Sequence, residues 1–539
     1  MSLPPPPTPK RQTAPIVTVA CRVQRRPASR IDATARHCPA ALFHALAGLT
    51  LLTGCTLQPG YQRPALSLPV SWDNGSLADA ASSAEAPTGR GAWWTGLHDT
   101  ALDTLVADAL ASNPTLAEAA ARVDQARAAL ASDRAQAIPR ADLEADAARA
   151  QSGTTSLAGT RVVRSSSATA GPRLSWEVDL WGRLRETARA SDNRLAARTA
   201  DAKDARLSIA AQVADGVLLL KACTYSLGVR DSEIASRTVE LAVTRKRLAF
   251  GNIAPVDVAN AEGNLAAART DRIALREQCL HDTDGLVALT GRRSGDIETL
   301  LFVRGGVSTD SNGGAPIVAT TMSAPPPFVP ALPACVLLAH PSVVASEREA
   351  AARWSEIGVA RAERLPRLDL AAVLSGNWLG ALGSSTTFAS WSAGPSLSGA
   401  LFDGGAGSAK VRLAQARYRE AVATLEVTLR SAAQDIEDAL AAQQSATLRE
   451  ETSRQSVSAA RFTLEANEAR WRAGAISLFE LEDSRRLLRT AQDSAIAAAR
   501  DRARAWVELV RRSGSAFDGD DPRATACGTP AIRRAASLE

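Results

Sequence analysis

A chain of 539 residues is long enough for several domains, and with 45% apolar residues it can build real cores. The formal net charge of +5 belongs to the leader: residues 1–54 hold seven Lys/Arg and one acidic residue, leaving 55 basic against 56 acidic residues beyond them. A body balanced in this way gives no argument for a nucleic-acid partner.

The leader reads as a secretion signal. Arg22, Arg25, Arg26, Arg30 and Arg36 precede an apolar run from Ala40 to Leu52, too short for a membrane-spanning helix and followed by small residues. Its length of 54 residues leaves a translation start downstream of Met1 open, and Arg25-Arg26 alone is a poor twin-arginine signal. The segment Leu52-Thr53-Gly54-Cys55 resembles the bacterial lipoprotein box. That resemblance implies a signal peptide over 1–54 and a lipid on Cys55, the first residue of the mature chain; the alternative is a chance Cys behind an ordinary signal peptide. A single lipidated Cys anchors weakly unless other membrane contacts exist. Export also exposes the remaining cysteines to an oxidising compartment where they can pair.

Residues 55–92, rich in Pro, Ser, Ala and Gly beyond Cys55, read as an extended, lipidated tether. Trp93-Trp94 opens the folded part, which repeats itself. Asn113-Pro114 begins a stretch reaching Ile138-Pro139-Arg140, and His340-Pro341 begins one reaching Leu365-Pro366-Arg367. The offset is 227 residues between Pro114 and Pro341, and 223 between Gly171 and Gly394 and between Gly251 and Gly474. Self-similarity at a nearly fixed offset marks a duplicated unit. The division that follows is a first repeat over 93–300 (helix, two strands, helical hairpin), a linker over 301–330, a second repeat over 331–513 and a disordered tail over 514–539.

Within the first copy, Leu102, Leu105, Val106, Ala109 and Leu110 fall at helical spacing in a region running to Leu130 and ended by Pro139. Alternation follows. Leu143, Ala145 and Ala147 oppose Asp142, Glu144 and Asp146, and Leu174, Trp176, Val178 and Leu180 oppose Ser175, Glu177 and Asp179. The second copy has Leu368, Leu370, Ala372 and Leu374, then Leu397 and Leu401. Such a pattern suits a strand with lipid on one face and water on the other, and equally a half-buried sheet in a soluble protein.

Very long helical stretches come next. Between Ser408 and Ala473 there is neither Gly nor Pro, and Leu425, Leu429, Ala432, Ile436 and Ala439 form a coiled-coil seam. The matching stretch from Arg183 to Phe250 has no Pro and only Gly216 and Gly228. Each can run to about 100 Å, and both carry too many charges to lie in lipid. They end at Gly251 and Gly474, after which second helices run back with heptad-like patterns past Leu265 and Leu487. Four strands per chain cannot close a membrane barrel, whose smallest examples have about eight, and open edges are not tolerated in lipid. If these strands span a membrane, several chains must share one barrel.

Together, Trp93-Trp94…Asp99…Leu102, Asn113-Pro114, Trp176-Glu177-Val178-Asp179-Leu180-Trp181-Gly182, Ile357-Gly358-Val359-Ala360-Arg361-Ala362 and Leu401-Phe402-Asp403-Gly404-Gly405 resemble the signature segments of the NodT/TolC-type outer-membrane efflux lipoproteins, from about Cys55 to Ser513. The resemblance implies a mostly α fold with a membrane β-barrel portion. In it, three identical chains contribute four strands each to one barrel, and their helices line a tunnel through the periplasm. It implies an outer-membrane, lipid-anchored exit duct for small molecules, partnered by a periplasmic adaptor and an inner-membrane pump, with no cofactor and no chemistry of its own. The chain departs from the pattern at His340-Pro341-Ser342, where the family usually has Arg-Pro-Asp, and near Ala400, where a Pro commonly precedes Phe-Asp-Gly-Gly. These departures bear on the local equatorial geometry and on strand entry.

The resemblance also assigns roles. The adaptor-facing tip motif Arg-x-x-x-Gly-x-x-Ser matches Arg470, Gly474 and Ser477 in the second copy; the first keeps Arg247 and Gly251 but ends Ala254-Pro255. Glycine there also simply permits a tight turn. Glu480 and Asp483 match the acidic pair lining the closed periplasmic entrance of such channels, where three-fold repetition makes two acidic rings; the bland alternative is a solvated helix face. Independently of the resemblance, Cys223 lies 28 residues before Gly251 and Cys279 lies 28 after it, so an antiparallel hairpin turning at Gly251 brings them together as a disulfide. Cys335 and Cys527 show no partner by spacing.

No enzyme is expected: the histidines form no metal-ligand spacing, and neither a nucleophile elbow nor a phosphate-binding loop occurs. Two other readings stay open. One is the channel of a type I protein secretion system; the other is a non-conducting periplasmic coiled-coil lipoprotein scaffold, which requires soluble strands.

Overall fold

The structure, a computed structural model, describes residues 58–74, 92–156, 159–303, 325–326, 333–381 and 383–514. The signal segment, Cys55, most of the 301–330 linker and the tail beyond Gly514 lie outside the described residues.

A 3-10 turn over Trp93–Leu97 leads into α1 (Thr100–Ser112) and α2 (Pro114–Ala135). Where apolar spacing predicts one helical region, the structure has two, broken at Asn113. Pro114 disfavours helical backbone in the residue before it, and Asn113 is extended. Its Oδ1 accepts from Thr115 N at 2.9 Å, and its Nδ2 donates to Leu289 O at 2.9 Å, tying the break to a distant helix end. The first copy continues with β1 (Arg140–Ser156), β2 (Gly159–Val178), α3 (Arg183–Ala249), α4 (Pro255–Thr290) and the single turn α5 (Ser294–Glu298). The second has α6 (Pro333–Ala339), α7 (Pro341–Ala362), β3 (Arg367–Ala381), β4 (Ser384–Ser398), α8 (Ala406–Arg472) and α9 (Leu478–Ser513). The duplication holds in length: α3 and α8 each have 67 residues, and α4 and α9 each have 36.

Each strand passes into its long helix through an Asp that caps the first turn. Asp179 accepts from Leu184 N at 3.1 Å and Arg185 N at 3.0 Å, and Asp403 from Gly405 N at 2.8 Å and Gly407 N at 2.6 Å. The reversal needs left-handed backbone, found at Gly182 (φ 81°) and Gly405 (φ 90°). Leu180 and Leu401 therefore sit in these passages, beyond the strands whose alternation they were expected to extend. The departure at His340-Pro341-Ser342 is also accommodated. Buried His340 opens α7 with Pro341 behind it, and its Nδ1 lies 2.8 Å from Ser342 Oγ.

The four strands form one antiparallel sheet in the order β1-β2-β3-β4. Register places Leu143 opposite Pro172, Leu174 opposite Ala372, Trp176 opposite Leu370, and Leu374 opposite Trp391. Period-two geometry then collects these side chains on one continuous apolar face. The other face holds Asp142, Glu144 and Asp146, with Leu379 and Phe388 among its polar residues, and is cross-linked: Thr169 Oγ1 donates to Asn377 Oδ1 at 3.1 Å and Asn377 Nδ2 to Ser390 Oγ at 2.8 Å. Leu143 is 81% and Trp391 79% exposed, so no element of the described chain covers the apolar face.

Below the sheet the helices pack as a row. Near the sheet, α2 lies on α3, α3 on α7 and α7 on α8; further down, α4 lies on α3, α3 on α9 and α9 on α8. Each copy has its own core at the middle of the row. Around Trp93, Trp94, Leu105 and Val217, the side chain of Trp506 is almost fully buried with its ring 5.8 Å from that of Trp93. The second core, around Leu337, Leu425, Leu429 and Ile436, lacks a counterpart of the 13-residue α1, since α6 has only seven residues. Leu66, Leu68 and Trp72 pack there instead. The described part of the expected tether is thus a strap on the second copy, held by Arg63–Glu347 at 2.5 Å and by Asp73 N and Asn74 N donating to Glu437 at 2.8 and 2.9 Å.

One stretch of α3 is apolar enough to cross a membrane by length and composition, against the expectation that charge bars the whole helix from lipid. That stretch is 61% buried, so its apolarity serves the core between helices.

Candidate functional site

At the end of the row away from the sheet, α3 and α8 terminate in the same motif. Gly251 N donates to Leu248 O (2.8 Å) and Asn252 N to Arg247 O (2.9 Å); Gly474 N donates to Trp471 O (2.9 Å) and Ala475 N to Arg470 O (2.8 Å). This paired pattern is a Schellman cap, which requires left-handed backbone at its penultimate donor. Gly251 has φ 72° and Gly474 φ 73°. A Cβ on either glycine would touch nothing within 4 Å, so conformation alone selects Gly and the space before both tips is open. The Arg of the motif supplies its backbone carbonyl to the turn and leaves its guanidinium exposed.

The two tips restart differently. Ser477 Oγ accepts from Glu480 N at 3.2 Å while Glu480 Oε2 accepts from Ser477 N at 3.1 Å, a complete capping box. At the first tip Ala254 has no side-chain acceptor; Asp257 Oδ2 accepts from Ala254 N at 3.1 Å and Pro255 fills the first helical position. Glu480 is therefore exposed but engaged by its own helix start, and Asp483, on the next turn, is paired with Arg486. Phe250, adjoining Gly251, and Phe479, in the first turn of α9, are 78% and 79% exposed. Sequence reasoning passed over both; the available signal was an aromatic adjoining the tip in each copy.

A second feature escaped the sequence. Just behind the tips, α3 and α9 meet through charge rather than hydrocarbon. Arg237 lies 3.3 Å from Glu240, 3.7 Å from Glu233 and 3.9 Å from Glu482; Arg489 lies 3.4 Å from Glu233; Arg230 lies 2.8 Å from Asp493. Glu482 and Arg489 are buried. Burial pushes the Glu240 carboxyl above its ordinary range, with the charge of Glu482 adding to the effect, and burial likewise raises Asp493 and lowers Arg489. Oxygens and nitrogens of Glu482, Arg489 and Asp493 are enclosed without a hydrogen-bond partner among the described residues. Such a contact holds the hairpins together at a desolvation cost that a neutral pair would not carry.

Higher on the first hairpin, Cys223 and Cys279 are joined by a disulfide with Cα atoms 5.6 Å apart. Cys335, for which spacing offers no partner, is also disulfide-bonded. Cys55 lies outside the described residues. The inward seam of α9 runs through Leu481, Ser484, Ala491 and Ala495 and leaves Leu487 exposed, because α9 must face α3 and α8 together. Among the described residues, no group of three His, Cys, Asp or Glu is arranged to hold a metal ion.

Comparison with known proteins agrees with this architecture. The family described as outer membrane efflux protein matches twice, over residues 105–292 and 332–515. The outer membrane protein OprJ of Pseudomonas aeruginosa is 28% identical over 488 residues, covering 89% of this chain and 97% of its own. The cation efflux system protein CusC of Escherichia coli K12 is 25% identical over 441 residues, covering 81% and 91%. A crystal structure of a membrane protein from Pseudomonas aeruginosa superposes with a TM-score of 0.71 at 26% identity, covering 85% of this chain and all of its own. With the family matched over both copies, the chain belongs to the outer membrane efflux proteins.

Proposed function

We propose that three copies of this chain form one conducting duct, the outer-membrane exit of a tripartite efflux pump. The observation that carries this reading is the sheet: an apolar face exposed on all four strands, a second face cross-linked by polar side chains, and outer strands β1 and β4 each with an edge unpaired among the described residues. Backbone edges in lipid must be paired, so β4 of one copy pairs with β1 of the next, and three copies give a closed barrel of twelve strands, within the range of such barrels. A soluble scaffold would have to leave that apolar face in water, which disfavours it.

The helix row then lines an aqueous tunnel, and its tips are where a periplasmic adaptor docks. Open space before Gly251 and Gly474, the guanidinium groups of Arg247 and Arg470 and the apolar rings of Phe250 and Phe479 support docking there. Cargo arrives from an inner-membrane pump through that adaptor and leaves without chemistry. Glu480 and Asp483 ring the entrance, with capping and the Arg486 pair tempering their charge. A lipid on Cys55 adds a second hold on the outer membrane to that of the barrel.

Purified full-length protein in detergent tests this. Light scattering should report three copies per particle, and migration on gels should shift on heating as a closed barrel unfolds. A particle of one copy with heat-independent migration contradicts the reading. Co-purification of an adaptor that Phe250→Asp with Phe479→Asp abolishes, while the trimer survives, tests the docking surface separately.

A further inference from the structure

Two helix faces at opposite ends of the row carry apolar side chains that nothing among the described residues covers. On α8, Leu413, Val427, Leu448 and Phe462 are all exposed and separated by 14, 21 and 14 residues, one position of a heptad. On α4, Ala266, Ile273 and Leu280 recur every seven residues on the side away from α3, with Ile273 67% exposed. A helix partnered on one side only needs one seam; α4 and α8 each have two.

Contacts within the chain fix the relative level of these faces. Asn467 Nδ2 donates to Ser484 Oγ at 2.6 Å and Arg502 Nη1 to Glu450 Oε2 at 2.7 Å, which brings Phe462 level with Arg489. Arg489 reaches Glu233 at 3.4 Å. Arg272 pairs with Asp231, and Cys223 with Cys279, which brings Glu233 level with Thr270. Phe462, 74% exposed, therefore stands at the height of Thr270, between small Ala266 and branched Ile273, on the far edge of the row. Three residues on from Phe462 is exposed Glu465, and one residue before Thr270 is exposed Arg269, opposite in charge at nearly the same level.

We propose that the face of α4 around Ala266, Thr270 and Ile273 seats Phe462 of a second copy of this chain, with Arg269 facing Glu465 of that copy. The inference rests on the trimeric reading and adds to it the seam and its register. Rotation about a three-fold axis leaves height unchanged, so levels set inside one chain carry over to the contact between chains. A large apolar knob entering beside a small residue is the packing that such seams use, and the flanking charges select against the register one heptad nearer the tip, where Glu262 would face Glu465.

Cysteine cross-linking of the full-length protein tests this. Within one chain α3 and α9 separate positions 270 and 462, at about 8–10 Å per helix spacing, so a disulfide between them has to join two copies. The double variant Phe462→Cys with Thr270→Cys should give bands of two and three chains that collapse on reduction, absent from either single variant. Phe462→Cys with Ala259→Cys, displaced by about 16 Å along α4, should stay monomeric on the gel. Equal or better cross-linking of the displaced pair, or none from the matched pair while light scattering finds three copies, overturns the register and leaves the trimer standing. A single-copy particle overturns the trimeric reading itself. In the matched background, Arg269→Glu should cut cross-link yield severalfold and Glu465→Arg added to it should restore the yield; failure of the double exchange to restore it removes the charge pair from the account.

Discussion

Glu480 and Ser477 cap each other: the serine hydroxyl accepts from the Glu480 amide at 3.2 Å and the glutamate carboxylate accepts from the Ser477 amide at 3.1 Å. The acid expected to supply gating charge thus also builds the start of α9. Ser477→Ala should destabilise the second tip by about 1 kcal/mol, read as roughly fivefold faster amide exchange over residues 478–481, with the first tip unchanged. Glu480→Gln keeps an acceptor and should leave exchange near the wild-type rate, whereas Glu480→Ala should raise it. Equal exchange in all variants would remove the cap from the account.

The bridge between Cys223 and Cys279 closes a loop of 56 residues. On chain-entropy grounds, losing a bridge of this kind costs about 2–4 kcal/mol. Cys223→Ser should lower the unfolding temperature and abolish the mobility difference between reduced and non-reduced samples that a 56-residue loop produces. The second copy, with Ala446 and Arg502 at the matching positions, should respond to reductant only through other bridges.

The charged contact between α3 and α9 predicts a pH dependence with a definite sign. Burial raises the folded-state pKa of Glu240 and Asp493 above their unfolded values. The native state then binds more protons, so the penalty of keeping these groups ionised is present above the folded pKa and is relieved as pH falls from there toward the ordinary carboxylate value. Around Glu240 stand Arg237 and Glu233 on α3 and Glu482, Arg485 and Arg489 on α9. The stability difference between Glu240→Gln and wild type should be largest near neutral pH and shrink on acidification, measured by thermal unfolding of the detergent-solubilised protein. A difference that grows on acidification would reverse the sign of the argument.

At Gly171 the backbone of β3 occupies the space a side chain on β2 would need. A Cβ there would lie 1.9 Å from Leu374 O and 2.7 Å from Ser375 Cα, both backbone atoms that cannot step aside. Gly171→Ala should force β2 from β3 and reduce the heat-shifted fraction on gels strongly. Gly394→Ala, at the equivalent site of the second copy, where a Cβ meets nothing within 4 Å, should be tolerated.

Much of the fold was legible because periodicity reports which faces are wet. The alternation around Leu143 and Leu374 placed the strands, and the seam from Leu425 to Ala439, all buried in the structure, placed the coiled coil. The break at Asn113 was visible as a repeat marker, yet its meaning depended on Leu289, 176 residues away. The buried charges were not legible. Glu233, Arg237 and Glu240 fall at spacings that normally describe a solvated ion-paired face, and only the packing of α9 on α3 removes that face from water. That the tether docks on the second copy was not legible, because composition averages over Leu66, Leu68 and Trp72, the residues that dock it.

The central claim is that copies of this chain enclose a continuous water-filled path guarded by the acids of the second tip. Single-channel recording of the purified protein in planar lipid bilayers tests it most directly. The account predicts discrete conductance steps with cation preference, and a weaker preference in Glu480→Gln with Asp483→Asn, in which the cap is kept and the charge removed. Absence of conductance from heat-modifiable trimers would contradict the duct, and unchanged ion selectivity in the double variant would contradict the assignment of Glu480 and Asp483 to its entrance.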